Sequence, residues 1–295
     1  MERGRVLRRS VFAVLLAVIV GYFFNGAGDI DAGTWHAQSG SPRGETMLPA
    51  YAVALIHDWA PQDAAYEGYA CSGVEFSPGL ILTAAHCLPA DATSLGVLGP
   101  TNDLCAGGRR RGVTQASVHP SFDRITLAYD VAVLRVARDS RSHTVPVADP
   151  ANVLPVTVAI GWGPIAPGGA RPCTATAGAL TPKPDAACAG LSGQGPRFDP
   201  RSMLCAGAPG MITGDACPGD SGGPLLAWHP DQGRVEVRGL VSWGAGCGEA
   251  DRPSAFVDLA SVSGWLADAT ALISQHSGEE VAPPASVPVP SVALH

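Results

Sequence analysis

Lysine, and charge of either sign, are scarce in this sequence. Charged residues make up 15% of the 295 positions, and Lys183 is the single lysine among 19 basic residues. We attribute the shortage of lysine to genomic composition bias and give it no functional weight. The formal net charge is −7, whereas nucleic-acid-binding proteins carry a clustered basic surface. The composition therefore argues against nucleic acid as a partner.

Three patterns that would indicate other classes of protein are also missing from the sequence. No CxxC pair suggests a zinc site, and no dense acidic stretch suggests a calcium loop. No internal repeat suggests a solenoid. The chain is therefore expected to work without a metal and without any other cofactor.

Long apolar runs are missing except near the N terminus, where Val11–Phe24 holds 14 uncharged residues. As a helix this run would rise roughly 21 Å, which is less than the ~30 Å hydrocarbon core of a bilayer. Four arginines precede it, an arrangement typical of signal peptides. We predict that residues 1–28 form a signal peptide, with a retained N-terminal membrane anchor as the alternative. In either case the rest of the chain is expected to be secreted or extracytoplasmic.

Eight cysteines agree with export, because an even number of cysteines in an exported chain usually indicates disulfides. Composition divides the remainder of the chain into three parts. Residues 29–48 are rich in Gly, Ser and Asp, and we interpret them as a linker or pro-segment. Residues 49–276 are interpreted as one folded domain, and the Pro-rich residues 277–295 as a disordered tail.

Residues 49–276 have the sequence texture of an all-β domain. Short apolar runs rich in β-branched residues, such as "YAVALIHD" and "VEVRGLVSWG", alternate with turn-forming Gly, Pro, Asn and Asp. This pattern predicts many short strands arranged as a sandwich or a barrel. Only residues 259–275 predict a helix, because their apolar residues follow helical spacing. These apolar residues are Val262, Trp265, Leu266, Ala269 and Leu272.

The stretch "GDACPGDSGGP" (214–224) places Ser221 between Asp220 and two glycines. A serine is a poor nucleophile unless a base removes its proton and hydrogen-bond donors stabilise the oxyanion. The glycines permit a tight turn, in which the N–H groups of Gly219 and Ser221 can point at one spot. Taken alone, the stretch is compatible with a nucleophile or with an ordinary Gly-rich turn.

Two further stretches contain the residue types that would activate such a serine. "LTAAHC" (82–87) contains His86, and "YDVAVLRV" (129–136) begins an apolar strand with Asp130. A carboxylate that is about to be buried needs a partner. A histidine N–H would be such a partner, and the pair would orient the imidazole toward a serine. A lone histidine is more often structural, so the hypothesis depends on the three stretches together.

In this chain order, the three stretches resemble the trypsin/chymotrypsin family of serine endopeptidases. "IGWG" (160–163), "SMLCAG" (202–207) and "LVSWGAGCG" (240–248) match the family as well, and the resemblance covers roughly residues 49–275. It implies an all-β fold of two packed six-stranded antiparallel β-barrels with a C-terminal helix. We expect the active site to lie in the cleft between the barrels.

The resemblance also implies a role for each residue of a catalytic triad. Ser221 would attack the scissile carbonyl, while His86 takes its proton and later returns it. Asp130 would orient His86 and stabilise its cation. The N–H groups of Gly219 and Ser221 would hold the oxyanion, and peptide bonds would be cut through an acyl-enzyme.

Substrate specificity is implied by residues around the family's pocket for the side chain that precedes the cut. Asp215 would lie at its base and select Arg, and also Lys, because an apolar side chain would leave the carboxylate unpaired. Gly244 and Gly246 match small wall residues, and Ser242 matches the residue whose carbonyl pairs with the substrate backbone. Ser254 stands where trypsins usually carry glycine, so its side chain is expected to enter the pocket and reduce affinity, leaving the Arg-versus-Lys preference open.

Three disulfides carry over from the family by motif: Cys71–Cys87, Cys188–Cys205 and Cys217–Cys247. The remaining cysteines, Cys105 and Cys173, fall in loops that approach each other on one face of the family fold. We therefore predict a fourth bridge between them.

The sequence departs from the family ahead of the first strand. Most members are cut before an Ile-Val-Gly-Gly-like start, and the new α-amino group pairs with the aspartate before the nucleophile, here Asp220. Counting back places that start near residues 38–41, where "QSGS" stands without a preceding Arg or Lys. A cut after Arg43 would leave too few residues to reach Asp220. This residue is therefore expected to pair with an unusual N terminus, with another donor, or with none.

The main hypothesis is an exported, monomeric serine endopeptidase acting on protein or peptide substrates with Arg or Lys before the cut. One alternative is a protease-fold binding protein with an unordered oxyanion site, or a protease that is active only after an unidentified processing step. Another is a protease tethered to the membrane by its N terminus. The basic run "GRRRG" (108–112) is expected to be a solvated loop, with a contact surface for an acidic partner as the alternative.

Overall fold

A computed structural model of the chain describes most of the predicted protease domain. It covers residues 51–275 except 62, 100, 102, 150–156, 167, 192–195, 209–215, 230–233, 245 and 248–251. The predictions for residues 1–28, 29–48 and 277–295 lie outside the described residues, and so does Asp215. In the described part, the helices are all too short or too polar to cross a membrane.

The strands form two closed antiparallel barrels of six strands each, so the predicted fold class is confirmed. The first barrel contains β1 (Ala52–His57), β2 (Tyr69–Ser77), β3 (Leu80–Thr83), β4 (Leu95–Leu98), β5 (Arg110–Val118) and β6 (Ala132–Val136). The second contains β7 (Thr157–Gly161), β8 (Thr176–Pro182), β9 (Met203–Gly207), β10 (Pro224–His229), β11 (Arg234–Gly244) and β12 (Ser254–Asp258). The strand order is β1-β2-β3-β6-β5-β4 in the first barrel and β7-β8-β9-β12-β11-β10 in the second, so the two barrels share one topology.

Strand β1 shows why the apolar runs lack polar alternation. Val53 and Leu55 belong to the core inside the first barrel, whereas Ala54 and Ile56 belong to a core shared by both barrels. The same alternation occurs in β7, where Ile160 joins the shared core. A strand that is buried on both faces reads as a continuous apolar run. The shared core therefore joins the barrels along the line where a cleft is expected.

Strand β5 corrects the expectation of a solvated loop at residues 108–112. The strand begins at Arg110, and the side chain of Arg111 is buried. Arg111 forms an ion pair with Glu75, with 2.7 Å between Nη2 and Oε2. Arg110 donates hydrogen bonds to the carbonyl groups of Ala60 and Pro61. Two of the three arginines are thus structural, because the first barrel supplies acceptors for both.

The C-terminal helix α2 (Ser263–Gln275) is shorter than the predicted range of 259–275. Residues before it form a turn, in which the carboxylate of Asp258 accepts the N–H of Ala260. The buried side of the helix carries Leu266, Ala269 and Ile273. Leu272, which belongs to the apolar set with helical spacing, is 58% exposed. A helix advances about 100° per residue, so the side that buries Ile273 turns Leu272 outward.

All eight cysteines form disulfides, in the four expected pairs: Cys71–Cys87, Cys105–Cys173, Cys188–Cys205 and Cys217–Cys247. Cys188 lies on a single-turn helix, α1 (Asp185–Ala189), that the sequence did not predict. The Cys105–Cys173 bridge differs from the others because it joins the two barrels. It connects the segment between β4 and β5 to the segment between β7 and β8.

Candidate active site

His86 and Asp130 lie at the ends of two neighbouring strands of the first barrel. His86 is in a 3₁₀ turn, Ala85–Cys87, shortly after β3, and Asp130 shortly precedes β6. The Asp130 carboxylate accepts the His86 backbone N–H at 2.8 Å and bonds to Nδ1 of its ring at 2.6 Å. A carboxylate can only accept, so Nδ1 carries a proton, and in the neutral imidazole Nε2 then presents its lone pair. This is the tautomer that a general base requires.

Ser242 adds a third hydrogen bond to the Asp130 carboxylate, from Oγ to Oδ2 at 2.6 Å. Ser242 belongs to β11 of the second barrel, whereas Asp130 belongs to the first. The sequence assigned a role to the carbonyl of Ser242 and missed this bond of its hydroxyl, because the two residues are 112 positions apart. Asp130 is 1% exposed, and its three donors compensate for the burial of its charge.

Ser221 reaches the same region through a chain of neighbouring groups. Its carbonyl accepts the backbone N–H of Ser72 at 2.8 Å. Ser72 follows Cys71, whose disulfide partner Cys87 is adjacent to His86. The turn that carries Ser221 therefore packs against the strand that is covalently tied to the His86 turn. The structure thus brings the predicted nucleophile Ser221, the predicted base His86 and the orienting carboxylate of Asp130 to the junction of the two barrels.

Gly219 has the backbone conformation expected of an oxyanion turn. Its φ angle is +106°, in the region that residues with a side chain rarely adopt. Its carbonyl accepts a hydrogen bond from the Tyr69 hydroxyl at 2.6 Å. Tyr69 was not identified from the sequence, because nothing in its local pattern distinguishes it from a core tyrosine. Pro218, which precedes Gly219, removes no donor that the predicted oxyanion hole requires.

Asp220 is buried and accepts two hydrogen bonds from the protein backbone. Oδ1 accepts from the N–H of Gly163 at 2.7 Å, and Oδ2 from the N–H of Cys217 at 2.8 Å. Burial raises the pKa of Asp220 to about 6, although both backbone hydrogen bonds lower it. No side chain in the described ranges forms a salt bridge with this carboxylate. Of the alternatives left open by the sequence, the described residues favour another donor.

The position of Asp220 explains why the "IGWG" motif contains two glycines. A Cβ atom at Gly161 or at Gly163 would overlap with the Asp220 carboxylate. Only glycine allows the backbone to approach the carboxylate closely enough to donate to it. From the sequence, the motif was recognised only as a family match. Its close packing against the Asp220 carboxylate could not be predicted.

The predicted specificity residues that are described lie together on the second barrel. Ser254 of β12 is paired with Gly244 of β11, and the residue is 1% exposed. A Cβ atom at Gly244 would lie 2.6 Å from Ser254 Oγ and 3.8 Å from the carbonyl oxygen of Ala216. Gly244 is therefore close both to the Ser254 hydroxyl and to Ala216, the residue that follows Asp215 in the sequence. Gly246 is adjacent to Cys247, which the disulfide ties to Cys217.

Two groups of residues in the described part have the spacing of metal ligands. One is Cys71, His86 and Cys87, and the other is Asp103, Cys105 and Cys173. Each group contains a disulfide, so its sulfur atoms are not free thiolates. We assign a metal to neither group.

Comparison with known proteins agrees with this geometry. The sequence model of the family described as Trypsin matches residues 54–266. The chain is 33% identical over 213 residues to trypsin alpha-4 of Lucilia cuprina, covering 70% of this chain and 79% of that protein. It is 29% identical over 268 residues to trypsin iota of Drosophila melanogaster, covering 88% and 98% of the two chains.

A longer relative is matched over only part of its length. The chain is 33% identical over 224 residues to coagulation factor XII of Rattus norvegicus, and the match covers 68% of this chain. The same match covers 36% of the factor XII protein, so this chain spans about a third of that relative.

Proposed function

This chain belongs to the trypsin family of serine endopeptidases, and from that premise we propose that it cuts peptide bonds after arginine, and also after lysine. The observation that carries the peptide-bond cleavage in this proposal is the double hydrogen bond of Asp130 to the backbone and ring of His86. That pair orients a neutral imidazole as a base. The turn of Ser221 packs beside it, as the bond of Ser221 to Ser72 indicates.

The proposed mechanism uses each of these groups in turn. His86 Nε2 takes the proton of the Ser221 hydroxyl as its oxygen attacks the scissile carbonyl. The imidazolium that forms is stabilised by Asp130, whose charge is held by His86 and Ser242. The backbone N–H groups of Gly219 and Ser221 stabilise the oxyanion. His86 then protonates the departing amine, and water releases the acyl group from Ser221 by the same proton transfers.

We propose that Asp215 selects the substrate, with Ser254 limiting the space beside it. A carboxylate in a closed pocket favours a cationic side chain, to which arginine can pair bidentately and lysine as a point charge. The Ser254 hydroxyl and the Ala216 carbonyl both lie close to Gly244. In this proposal the hydroxyl would narrow the pocket next to Asp215. Gly244 and Gly246 would keep the entrance of the pocket open, and the Ser242 carbonyl would pair with the substrate backbone.

Export is the proposed route to the site of action. Four disulfides are present, and such bonds persist in oxidising compartments outside the cytoplasm. The predicted signal peptide of residues 1–28 would deliver the chain there, with membrane tethering as the alternative. N-terminal sequencing of the exported protein distinguishes cleavage within residues 1–28 from retention of the anchor. Gel filtration of the same material tests the expectation of a monomer.

A fluorophosphonate probe tests the proposed nucleophile. The probe is expected to label the wild-type protein at Ser221 and to leave the Ser221→Ala variant unlabelled, because only an activated serine reacts. Peptide mapping identifies the labelled residue, and circular dichroism controls for folding of the variant. A folded wild-type protein that stays unlabelled after every processing condition would instead support the protease-fold binding protein.

A matched series of peptide amides tests the specificity. The residue before the scissile bond is varied among Arg, Lys, Phe and Glu while the rest of the peptide is kept constant. We expect kcat/KM to be at least about 10³-fold higher for Arg and Lys than for Glu, because two carboxylates would meet in the pocket. The Asp215→Ser variant should lose this preference while retaining its reaction with the fluorophosphonate.

A further inference from the structure

The hydroxyl of Tyr69 contacts the turn that would carry the oxyanion donors. Tyr69 begins β2, its residue is 6% exposed, and its oxygen lies 2.6 Å from the Gly219 carbonyl and 2.7 Å from Ser72 Oγ. A phenol has one proton and a carbonyl can only accept. Tyr69 therefore donates to Gly219, and Ser72 donates to Tyr69.

One short segment of β2 thus holds the backbone on both sides of Asp220. Tyr69 binds the carbonyl of Gly219, and the N–H of Ser72 binds the carbonyl of Ser221. The Asp220 carboxylate anchors the same turn from its other side, through the second barrel. The turn is consequently held by groups from both barrels.

Arg171 fixes the ring of Tyr69 in turn. Its guanidinium carbon lies 4.5 Å from the centroid of the Tyr69 ring and 5.5 Å from that of Tyr66. Arg171 Nη1 donates to the Tyr66 carbonyl at 2.9 Å, and the Tyr66 hydroxyl donates to the Arg171 carbonyl at 2.8 Å. These reciprocal bonds hold the cation against both rings. Without these bonds, the long side chain of Arg171 would be free to leave the face of the Tyr69 ring.

The segment that carries Arg171 is itself tied to the first barrel. Cys173, two positions later, forms the bridge to Cys105. The Cys173 carbonyl accepts the N–H of Leu104 at 2.8 Å, and Asp103 and Thr174 form a β-bridge. A continuous set of contacts therefore runs from the inter-barrel disulfide through Arg171 and Tyr69 to Gly219.

The electrostatics keep the Tyr69 hydroxyl in its donating form. Burial is the largest influence and raises the pKa of Tyr69. The hydrogen bond from Ser72 lowers this pKa, the negative charge of Asp220 raises it, and the cation of Arg171 lowers it. The net pKa lies above the ordinary value of 10.0, so the phenol keeps its proton at any physiological pH.

We propose that Tyr69, held by Arg171, is a positioning residue that orders the oxyanion turn. The inference rests on the proposed function, in which the Gly219 N–H stabilises the transition state. Glycine can adopt many combinations of φ and ψ, so a bond to the Gly219 carbonyl restricts the backbone that also carries its N–H. The Tyr69 hydroxyl supplies that bond from the first barrel, in addition to the Asp220 N–H of the same peptide unit, which bonds to the Cys217 carbonyl. The effect of Tyr69 therefore falls on the transition state and not on substrate binding.

The Tyr69→Phe variant of the full chain separates these two effects. We expect kcat to fall by about tenfold to 100-fold, with KM changed by less than about twofold, because an oxyanion donor is misaligned but not removed. A peptidyl argininal, whose adduct places an oxyanion in the hole, should bind more weakly by the same factor. Benzamidine, a cation without a carbonyl, should bind unchanged. Tyr51→Phe is the matched control, because the Tyr51 ring lies against His143 at the start of the first barrel.

Arg171→Met removes the cation and keeps an apolar stem of similar length. If Arg171 acts through Tyr69, its loss in kcat should add little to that of Tyr69→Phe in the double variant. Additive losses, equal losses of argininal and benzamidine affinity, or an unchanged kcat would each overturn the positioning role.

Hydrogen exchange tests the same proposal without catalysis. The N–H of Asp220 bonds to the Cys217 carbonyl and that of Gly223 to the Asp220 carbonyl. Both should exchange at least about tenfold faster in Tyr69→Phe than in wild type, and Tyr51→Phe should match wild type. Unchanged exchange would contradict the positioning role even if the wild-type protein were catalytically silent. A silent protein with faster exchange in Tyr69→Phe would contradict only the proposed endopeptidase activity.

Discussion

At Asp220, the burial of the residue conflicts with the charge of its carboxylate. The residue is 9% exposed, and its carboxylate is held by two neutral N–H donors. Neutral donors compensate only partly for removing a charge from water. The raised pKa expresses that imbalance, and it gives the residue a measurable signature in the pH dependence of stability.

The first prediction concerns the free energy of unfolding of wild type relative to Asp220→Asn. Burial raises the pKa of Asp220 from 3.8 to about 6, so the folded protein binds this proton more tightly than the unfolded chain. The stabilising contribution is complete only below the unfolded pKa of 3.8 and is lost as the pH rises through about 6. We expect wild type to lose about 2 kcal/mol relative to the variant between pH 4 and pH 7. Urea titrations at several pH values measure this difference.

Comparison with Asp220→Asn cancels the other groups that titrate between pH 4 and pH 7. The replacement also changes one hydrogen bond, but that change adds a constant at every pH. A difference that moves in the opposite direction would show that a cation, such as a processed N terminus, pairs with Asp220 in solution.

The second prediction concerns Ser254, whose hydroxyl occupies space beside Gly244. Ser254→Gly should raise kcat/KM for Arg and Lys substrates by about tenfold. Without the hydroxymethyl group of Ser254, the substrate's Arg or Lys side chain has room to reach the base of the pocket. Peptide amides with Arg or Lys before the cut measure the change. Ser117→Gly in β5 is the control for a glycine introduced into a strand. An unchanged or lower kcat/KM would show that Ser254 lies outside the specificity pocket.

At the scale of elements, the first barrel is unusual in burying an ion pair between strands that are not neighbours. The side chains of Glu75 in β2 and Arg111 in β5 are each 1% exposed, and Nη1 and Nη2 of Arg111 both donate to the carboxylate. The Gly79 N–H also donates to Glu75 at 2.7 Å. Removing one partner of such a pair leaves the other charge buried and uncompensated.

The third prediction follows from that pair. Arg111→Met should lower the free energy of unfolding by about 3–5 kcal/mol, because the Glu75 charge loses its counterion. Chemical denaturation measures the change. The control is Arg141→Met, which breaks an ion pair with Asp139 whose arginine is 63% exposed. The control should leave the unfolding midpoint almost unchanged, and equal losses in both variants would contradict the explanation.

The strands themselves could be predicted with uneven success, for a physical reason. Runs such as β1 and β7 were recognisable because both their faces are buried. The polar strand β5 was partly mistaken for a loop, because its two arginines satisfy their charges through Glu75, Ala60 and Pro61. Local composition cannot reveal a partner that lies across a barrel.

At the scale of the whole molecule, the two barrels have the same strand order, although the sequence shows no internal repeat. Their union depends on the shared apolar core and on the Cys105–Cys173 bridge. The candidate site lies on that union, since Asp130 bonds to Ser242 across it. Relative movement of the barrels would therefore alter the site directly.

The fourth prediction tests the bridge between the barrels. Replacing Cys105 and Cys173 together by alanine should lower the free energy of unfolding by about 2–4 kcal/mol. We also expect a lower kcat, because Arg171 lies two positions from Cys173 and holds Tyr69. Denaturant titrations and steady-state kinetics measure the two effects. The control replaces Cys188 and Cys205, which lie within the second barrel. A loss of stability with unchanged kcat would show that the Cys105–Cys173 disulfide does not influence the oxyanion turn.

The sequence by itself determined the order of the three catalytic stretches, the texture of an all-β domain and an even set of cysteines. These are local features, because a nucleophile turn, an apolar strand and a glycine each leave a short signature. Only the tertiary structure decided which distant groups meet: Ser242 with Asp130, Tyr69 with Gly219, and the backbone of Gly163 with Asp220. Such contacts depend on how barrel closure and packing align separate strands, and a hydroxyl or a backbone N–H that serves a distant residue looks, in sequence, like any other.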